Sequence, residues 1–127
     1  MPGAEQRFAI SLGKDAVFEG DGLRSFFEYR DLGIGEATGG RFHAQVIRAK
    51  EACGKGTGPH RHELDFQMVY VLKGWATFDY DGQGSVTLRP GDSVLQPPEI
   101  RHELTACSED MELLEITSPA DFTTLPA

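Results

Sequence analysis

The sequence predicts an all-β protein, a barrel or sandwich of short antiparallel strands. Three observations carry this. From about residue 41 to 117 the chain falls into seven or eight short runs in which apolar and polar residues alternate, with almost no helical periodicity. Its fifteen glycines and seven prolines are spread along it as single breakers, which suits many strands joined by turns. Three of the breaks are two-residue turn signals, Asp81-Gly82, Pro90-Gly91 and Pro97-Pro98.

The elements follow in order. Residues 41–48 (RFHAQVIR) form a strand with Phe42, Ala44 and Val46 on one face. Residues 67–73 (QMVYVLK) are rich in β-branched and aromatic side chains and stop at Gly74. If Gln67 points inward, so do Val69 and Val71, while Met68, Tyr70 and Leu72 face outward and need a cover. Residues 75–80, 85–88, 92–96, 102–106 and 111–117 complete the set. Before residue 41 the pattern is less decisive. Residues 8–12 suit an edge strand, the run LRSFFEYRDL admits a strand or a helical turn, and residues 33–40 read as a Gly-rich connection. The division expected is an N-terminal arm with edge strands over 1–40, a barrel over 41–117, and a tail over 118–127 lying along the surface. All three belong to one domain, as 127 residues imply.

Composition excludes several function classes. A formal net charge of −8 and no basic stripe argue against nucleic acid as a partner. No run approaches the roughly 20 apolar residues of a membrane span. The start, MPGAEQRFAISLG, lacks the features of a secretory leader. Cys53 and Cys107 are too few for a disulfide framework and read as buried or reduced thiols, so a cytoplasmic protein is expected.

The chemistry lies in the histidines. Three of the four fall into a pattern, with Gly54, His60, His62, Gln67 and Gly74 in one cluster and Gly91, Pro97 and His102 in a second. Two residues apart on a strand, His60 and His62 point the same way, about 6.6 Å apart along the chain. The residues from Glu63 to Phe66 allow a turn, after which Gln67 opens the next antiparallel strand and can face back toward the pair. Three nitrogens and one oxygen then converge inside the barrel. Glu63 and Glu103 are out of phase with these histidines and should face away. His43 matches no position of the pattern.

The two clusters resemble the paired motifs of the cupins. The first is complete from Gly54 to Gly74, except that Gln67 stands where glutamate is usual. The second has Glu99 where glycine is usual and Ala106 where asparagine is usual. The resemblance is to small single-domain cupins of the conserved-barrel, RmlC-like type, and it implies a double-stranded β-helix or jelly-roll barrel. It also implies one divalent metal ion per chain on His60, His62, Gln67 and His102, and a small-molecule pocket beside it. Small cupins commonly dimerise through N-terminal strands, so a homodimer is expected, with residues 8–12 available for the pairing. Val69, Phe78, Arg48 and His43 are the candidate pocket residues. The two arginines, Arg41 and Arg48, could pair a substrate carboxylate, although surface solvation is their more ordinary role.

Gln67 is neutral, so four neutral ligands leave a divalent ion its full charge and favour Lewis-acid chemistry. The two-histidine-one-carboxylate set of non-haem iron oxygenases is not reproduced. Zinc, nickel, iron and manganese all remain open. The favoured expectation is a metal-dependent enzyme of isomerase or lyase type acting on a small polar metabolite. A set of three histidines and a glutamine is similar to that of cupins that linearise unsaturated uronates, as is the stretch from Glu115 to Pro119 followed by Asp121-Phe122. That group carries an aspartate and an arginine near this position, whereas here the nearest acid is Glu115 and no arginine follows. A cupin dioxygenase using iron or nickel, and a non-catalytic ligand-binding barrel, are the alternatives.

Overall fold

Residues 5–20, 26–53 and 56–127 are described by a computed structural model. The strands are β1 (Phe27–Asp31), β2 (His43–Ala49), β3 (His60–Glu63), β4 (Phe66–Lys73) and β5 (Ala76–Tyr80), then β6 (Gly84–Leu88), β7 (Ser93–Leu95), β8 (His102–Cys107), β9 (Glu112–Ser118) and β10 (Thr123–Pro126). A single helical turn, α1 (Ile34–Ala37), and a 3-10 turn at Gly13–Asp15 interrupt the N-terminal part. Two five-stranded sheets result, ordered β1-β2-β9-β4-β7 and β10-β3-β8-β5-β6, with antiparallel pairing throughout. This is the jelly-roll barrel that the motifs imply.

Alternation decides which side chains fill it. On β4, Gln67, Val69 and Val71 are buried, while Tyr70 and Leu72 on the other face are 38% and 44% exposed. On β5, Ala76, Phe78 and Tyr80 are buried. Together with Phe27, Ile47, Leu104, Met111 and Leu113 they form one apolar core. Val71 and Met111 are fully buried, each contributing about 1.5–3 kcal/mol. The glycine that ends β4 is required twice over. Gly74 has φ +68°, and a Cβ there would collide with Ser108 and Asp110 and lie 2.9 Å from Met111 Cα. Asp81-Gly82 makes the expected turn: Gly82 has φ +77°, and the Gln83 N–H donates to Tyr80 O at 2.9 Å.

Several expectations need correction. Residues 8–12 form no strand. Their neighbourhood is held by side chains, with Arg30 Nη2 donating to Ser11 Oγ at 2.9 Å and the Arg7 guanidinium to Glu36 O at 2.7 Å. The arm leaves Phe8 91% and Ile10 71% exposed. The run LRSFFEYRDL resolves into β1 from Phe27, while its first three residues lie outside those described. The 33–40 connection contains α1. Gln67 does not open a strand paired with β3: β3 pairs with β8 and β10, and β4 with β7 and β9, so the chain crosses between sheets at Leu64-Asp65. The tail does not merely lie on the surface, because β10 hydrogen-bonds along β3 with Thr124 opposite His62.

Cys53 and Cys107 are buried, as expected, yet not as thiols. They are joined in a disulfide with Cα atoms 5.2 Å apart, inside the span such a bridge needs. The bridge removes the thiol argument for a reducing compartment. Among the described residues, no helix is long and apolar enough to cross a membrane.

Candidate metal centre and ligand cavity

A cavity of about 750 Å³ opens between the two sheets, a size that suits a small metabolite. One wall is made by β3 and β8. His60 and His102 are direct partners across these strands, and His62 lies on the same face. Ring centroids are 4.4 Å apart for His60–His102 and 4.9 Å for each of the other two pairs. All three offer nitrogens within 4.8 Å of one another and could hold a metal ion.

The hydrogen bonds behind the rings support that use. His60 Nδ1 lies 2.8 Å from Gly58 O, His102 Nδ1 2.9 Å from Ile100 O, and His62 Nδ1 2.8 Å from Thr124 Oγ1. A backbone carbonyl only accepts, so His60 and His102 carry their protons on Nδ1, which puts the ring's lone pair on Nε2. Burial lowers the His102 pKa below the ordinary imidazole value, and the neighbouring His60 adds to this, against a raising effect from the Ile100 hydrogen bond. The neutral form is the one that ligates. The donor set therefore fits a divalent metal.

The opposite wall comes from β2, β4 and β9. Glu115 is gripped by two carboxamides, Gln45 Nε2 donating to Oε1 and Gln67 Nε2 to Oε2, both at 2.9 Å. Because a carboxylate only accepts, Gln67 must turn its N–H₂ toward Glu115 and keep Oε1 on the other side. Ile47, Val69, Phe78 and Leu113 supply the apolar lining. Three carboxyl residues, Glu19, Asp31 and Glu115, line the cavity, and no lysine or arginine does so among the described residues.

Each residue singled out in the sequence has a definite place. His60, His62, His102, Gln67, Val69, Phe78 and His43 all line the cavity. Arg48 does not. It projects from the other face of β2, pairs with Glu28 at 3.0 Å and lies 3.7 Å from the Phe18 ring centroid. Glu63 and Glu103 stay off the cavity lining, as their phase requires. Glu103 instead accepts from the Gly58 N–H at 3.2 Å and so steadies the segment that delivers His60. Gly54 falls outside the described residues.

Other residues escaped the motif reading. Thr124 comes from the tail, where nothing in the sequence marks it, and Phe122, noted only within a resemblance, places its ring centroid 5.2 Å from that of His62. Gln96 is buried beside His102, and Tyr80 Oη donates to its Oε1 at 3.0 Å. Burial pushes the Tyr80 phenol up, so it stays protonated. Gln96 had a signal: in the strand predicted over 92–96 it is in phase with Val94, where a polar residue is out of character.

Comparison with known proteins agrees with this architecture. The family model described as "Cupin domain" matches residues 51–117, just over half of the chain. The fold is similar to that of KdgF from Halomonas sp., at 20% identity and TM-score 0.71, covering 87% of this chain and 94% of that one. It is also similar to an RmlC-like cupin from Shewanella frigidimarina NCIMB 400, at 24% identity and TM-score 0.71, covering 91% and 95%. The polyketide cyclase RemF from Streptomyces resistomycificus matches at 20% identity and TM-score 0.74, covering 95% and 86%. No curated protein matches the sequence. With a barrel of two five-stranded sheets, both histidine clusters in place and the family model spanning 51–117, the chain belongs to the cupin family.

Proposed function

We propose that this cupin is a metal-dependent enzyme of isomerase or lyase type acting on a small, uncharged polar metabolite. The observation that carries the reading is the pairing of walls. Three imidazoles whose ring nitrogens lie within 4.8 Å of one another face a cavity whose other wall holds a carboxylate locked by two amides. His60, His62 and His102 would hold the ion, with Gln67 Oε1 as the fourth donor. When bound, the metal would supply Lewis-acid polarisation of a substrate oxygen.

The remaining work falls to the chain itself. Glu115 has spare lone pairs beyond those taken by Gln45 and Gln67 and is placed to take a proton from a substrate hydroxyl or adjacent carbon. Its two amide donors hold the carboxylate still. Phe78, Val69 and Leu113 keep water from the reacting face. His43, on the same wall as Gln45, offers a further polar contact. Three acidic side chains and no described cation among the lining residues favour a neutral hydroxylated molecule, such as a sugar derivative, over a uronate. The lack of a carboxylate among the proposed ligands weighs against a dioxygenase.

The exposed apolar side chains of the arm, Phe8 and Ile10, with Tyr70 and Leu72 on the outer face of β4, support a homodimer. Light scattering of wild type and Phe8→Glu/Ile10→Glu tests it, and a monomeric wild type ends the idea.

The functional test begins with metal content by mass spectrometry on wild type and a His60→Ala/His62→Ala variant. About one ion per wild-type chain and none in the variant is expected. Loaded protein is then assayed with neutral sugar derivatives and with an unsaturated uronate. Tight binding without turnover would make this a ligand-binding barrel, and oxygen uptake by the iron-loaded protein would move it to the dioxygenases.

A further inference from the structure

Gln96 is the polar group at the histidine cluster that neither the motifs nor the reading above employs. The residue is 2% exposed, and its carboxamide is strung between two partners. Tyr80 Oη donates to Oε1 at 3.0 Å, and Nε2 lies 3.2 Å from His102 Nε2. His102 Nδ1 is turned to Ile100 O, so the Nε2 atom that Gln96 faces carries the ring's lone pair. The amide N–H therefore caps the lone pair that a metal would need.

A half-turn of the carboxamide exchanges its oxygen and nitrogen with little movement of either position. Tyrosine can follow, since a hydroxyl both donates and accepts. Two donors about 2.1 Å from one ion and at right angles to each other lie about 3 Å apart. An oxygen standing where Gln96 Nε2 now stands would be at that spacing from His102 Nε2.

We propose that Gln96 is a further ligand of the metal centre, its carboxamide turning so that Nε2–H donates to Tyr80 Oη and Oε1 joins His102 Nε2 on the ion. The inference rests on the metal-site reading above. Without metal the amide caps His102; with metal it holds the ion. An added amide oxygen raises the ligand count above four, which favours octahedral ions such as manganese over four-coordinate zinc.

The experiment is chelator competition with cobalt(II) and manganese(II) on wild type, Gln96→Leu and Gln96→Glu, with the visible spectrum of the cobalt forms. Gln96→Leu should weaken binding at least about tenfold, and its cobalt absorption per ion should rise toward that of a four-coordinate site. Gln96→Glu, with a charged oxygen in place, should bind more tightly than wild type. Leucine strands the Tyr80 hydroxyl, so Tyr80→Phe/Gln96→Leu, which removes that hydroxyl, must show the same loss. Leucine variants that bind as well as wild type, with an unchanged cobalt spectrum, overturn the role of Gln96 while leaving the histidine site intact. A wild type that takes up neither ion overturns the metal-site reading and this inference together.

Discussion

The two walls of the cavity fix their polar groups in different ways. On the β3–β8 wall each imidazole is oriented by a partner of its own: Gly58 O, Ile100 O or Thr124 Oγ1. On the β2–β4–β9 wall the side chains orient one another, with Glu115 at the centre and Gln45 and Gln67 on either side. A change on the first wall therefore disturbs one ring, whereas a change at Glu115 disturbs three side chains. In the first arrangement the orientation of each ring is set separately, although the rings touch one another; the second is a hydrogen-bonded network.

The largest effect expected from breaking this contrast is on the first wall. His60→Ala/His62→Ala removes two of the three nitrogens, and metal affinity should fall more than about a hundredfold, measured by chelator competition. The Gln45–Glu115–Gln67 cluster is held by its own two hydrogen bonds across β2, β9 and β4. Its integrity, read by NMR of the two carboxamides, should survive the double substitution. Collapse of those signals would mean that the walls are not separate.

Glu115→Gln tests the second wall. The substitution keeps the shape but replaces an obligate acceptor with a group that also donates, so Gln67 is no longer compelled to present Oε1 to the cavity. Metal affinity should fall about tenfold, although Glu115 is not one of the proposed ligands. Gln67→Glu acts in the opposite direction for the ion, adding charge, but sets two carboxylates side by side. Paired with Glu115→Gln it should recover affinity, and a double variant no better than Glu115→Gln alone would refute the network.

A smaller loss belongs to Thr124→Val, which deletes the oxygen behind His62 alone. Because β10 is an edge strand and the contact is exposed to water, a solvent molecule can replace part of it. A weakening of severalfold is expected, below the roughly tenfold of Glu115→Gln.

The same contrast explains what could be read from the sequence. The imidazole wall was legible because its three rings are set by strand phase and by spacing between breakers, both local properties. Val69, Val71 and Phe78 were legible for the same reason. The choice of sheet for β4 was not: the Leu64-Asp65 link permits either a turn back or a crossing, and alternation is blind to which. Alternation at Phe8, Ile10 and Leu12 misled similarly, since it reports an apolar side without naming a partner. Gln45, Gln96 and Thr124 act through hydrogen bonds spanning 6 to 70 positions, and no local pattern encodes such a pairing. The glycine positions fall between these cases. Gly74 and Gly91 both have positive φ, at 68° and 92°, as their place in the motifs anticipates.

Glu99 carries that last point to its smallest and sharpest test. It occupies the motif position where glycine is usual, and its φ is +62°, the only non-glycine residue in the left-handed region among the described residues. A side chain there costs about 1 kcal/mol or more. The turn is needed because the Glu99 N–H donates to His62 O at 2.9 Å, tying the connection before β8 to β3. Glu99→Gly keeps that N–H and removes the strain, while the unfolded chain gains some freedom that offsets part of the benefit. The net expectation is about 0.5–1 kcal/mol of added stability, or roughly 2–4 °C in melting temperature. Metal affinity should not change, because no imidazole loses its orienting partner. A variant that melts higher and binds equally well would show that this wall tolerates changes to its scaffold one position at a time. A shift in affinity would show that His62 feels the strain in this turn, and the separate orientation of each ring would have to be given up.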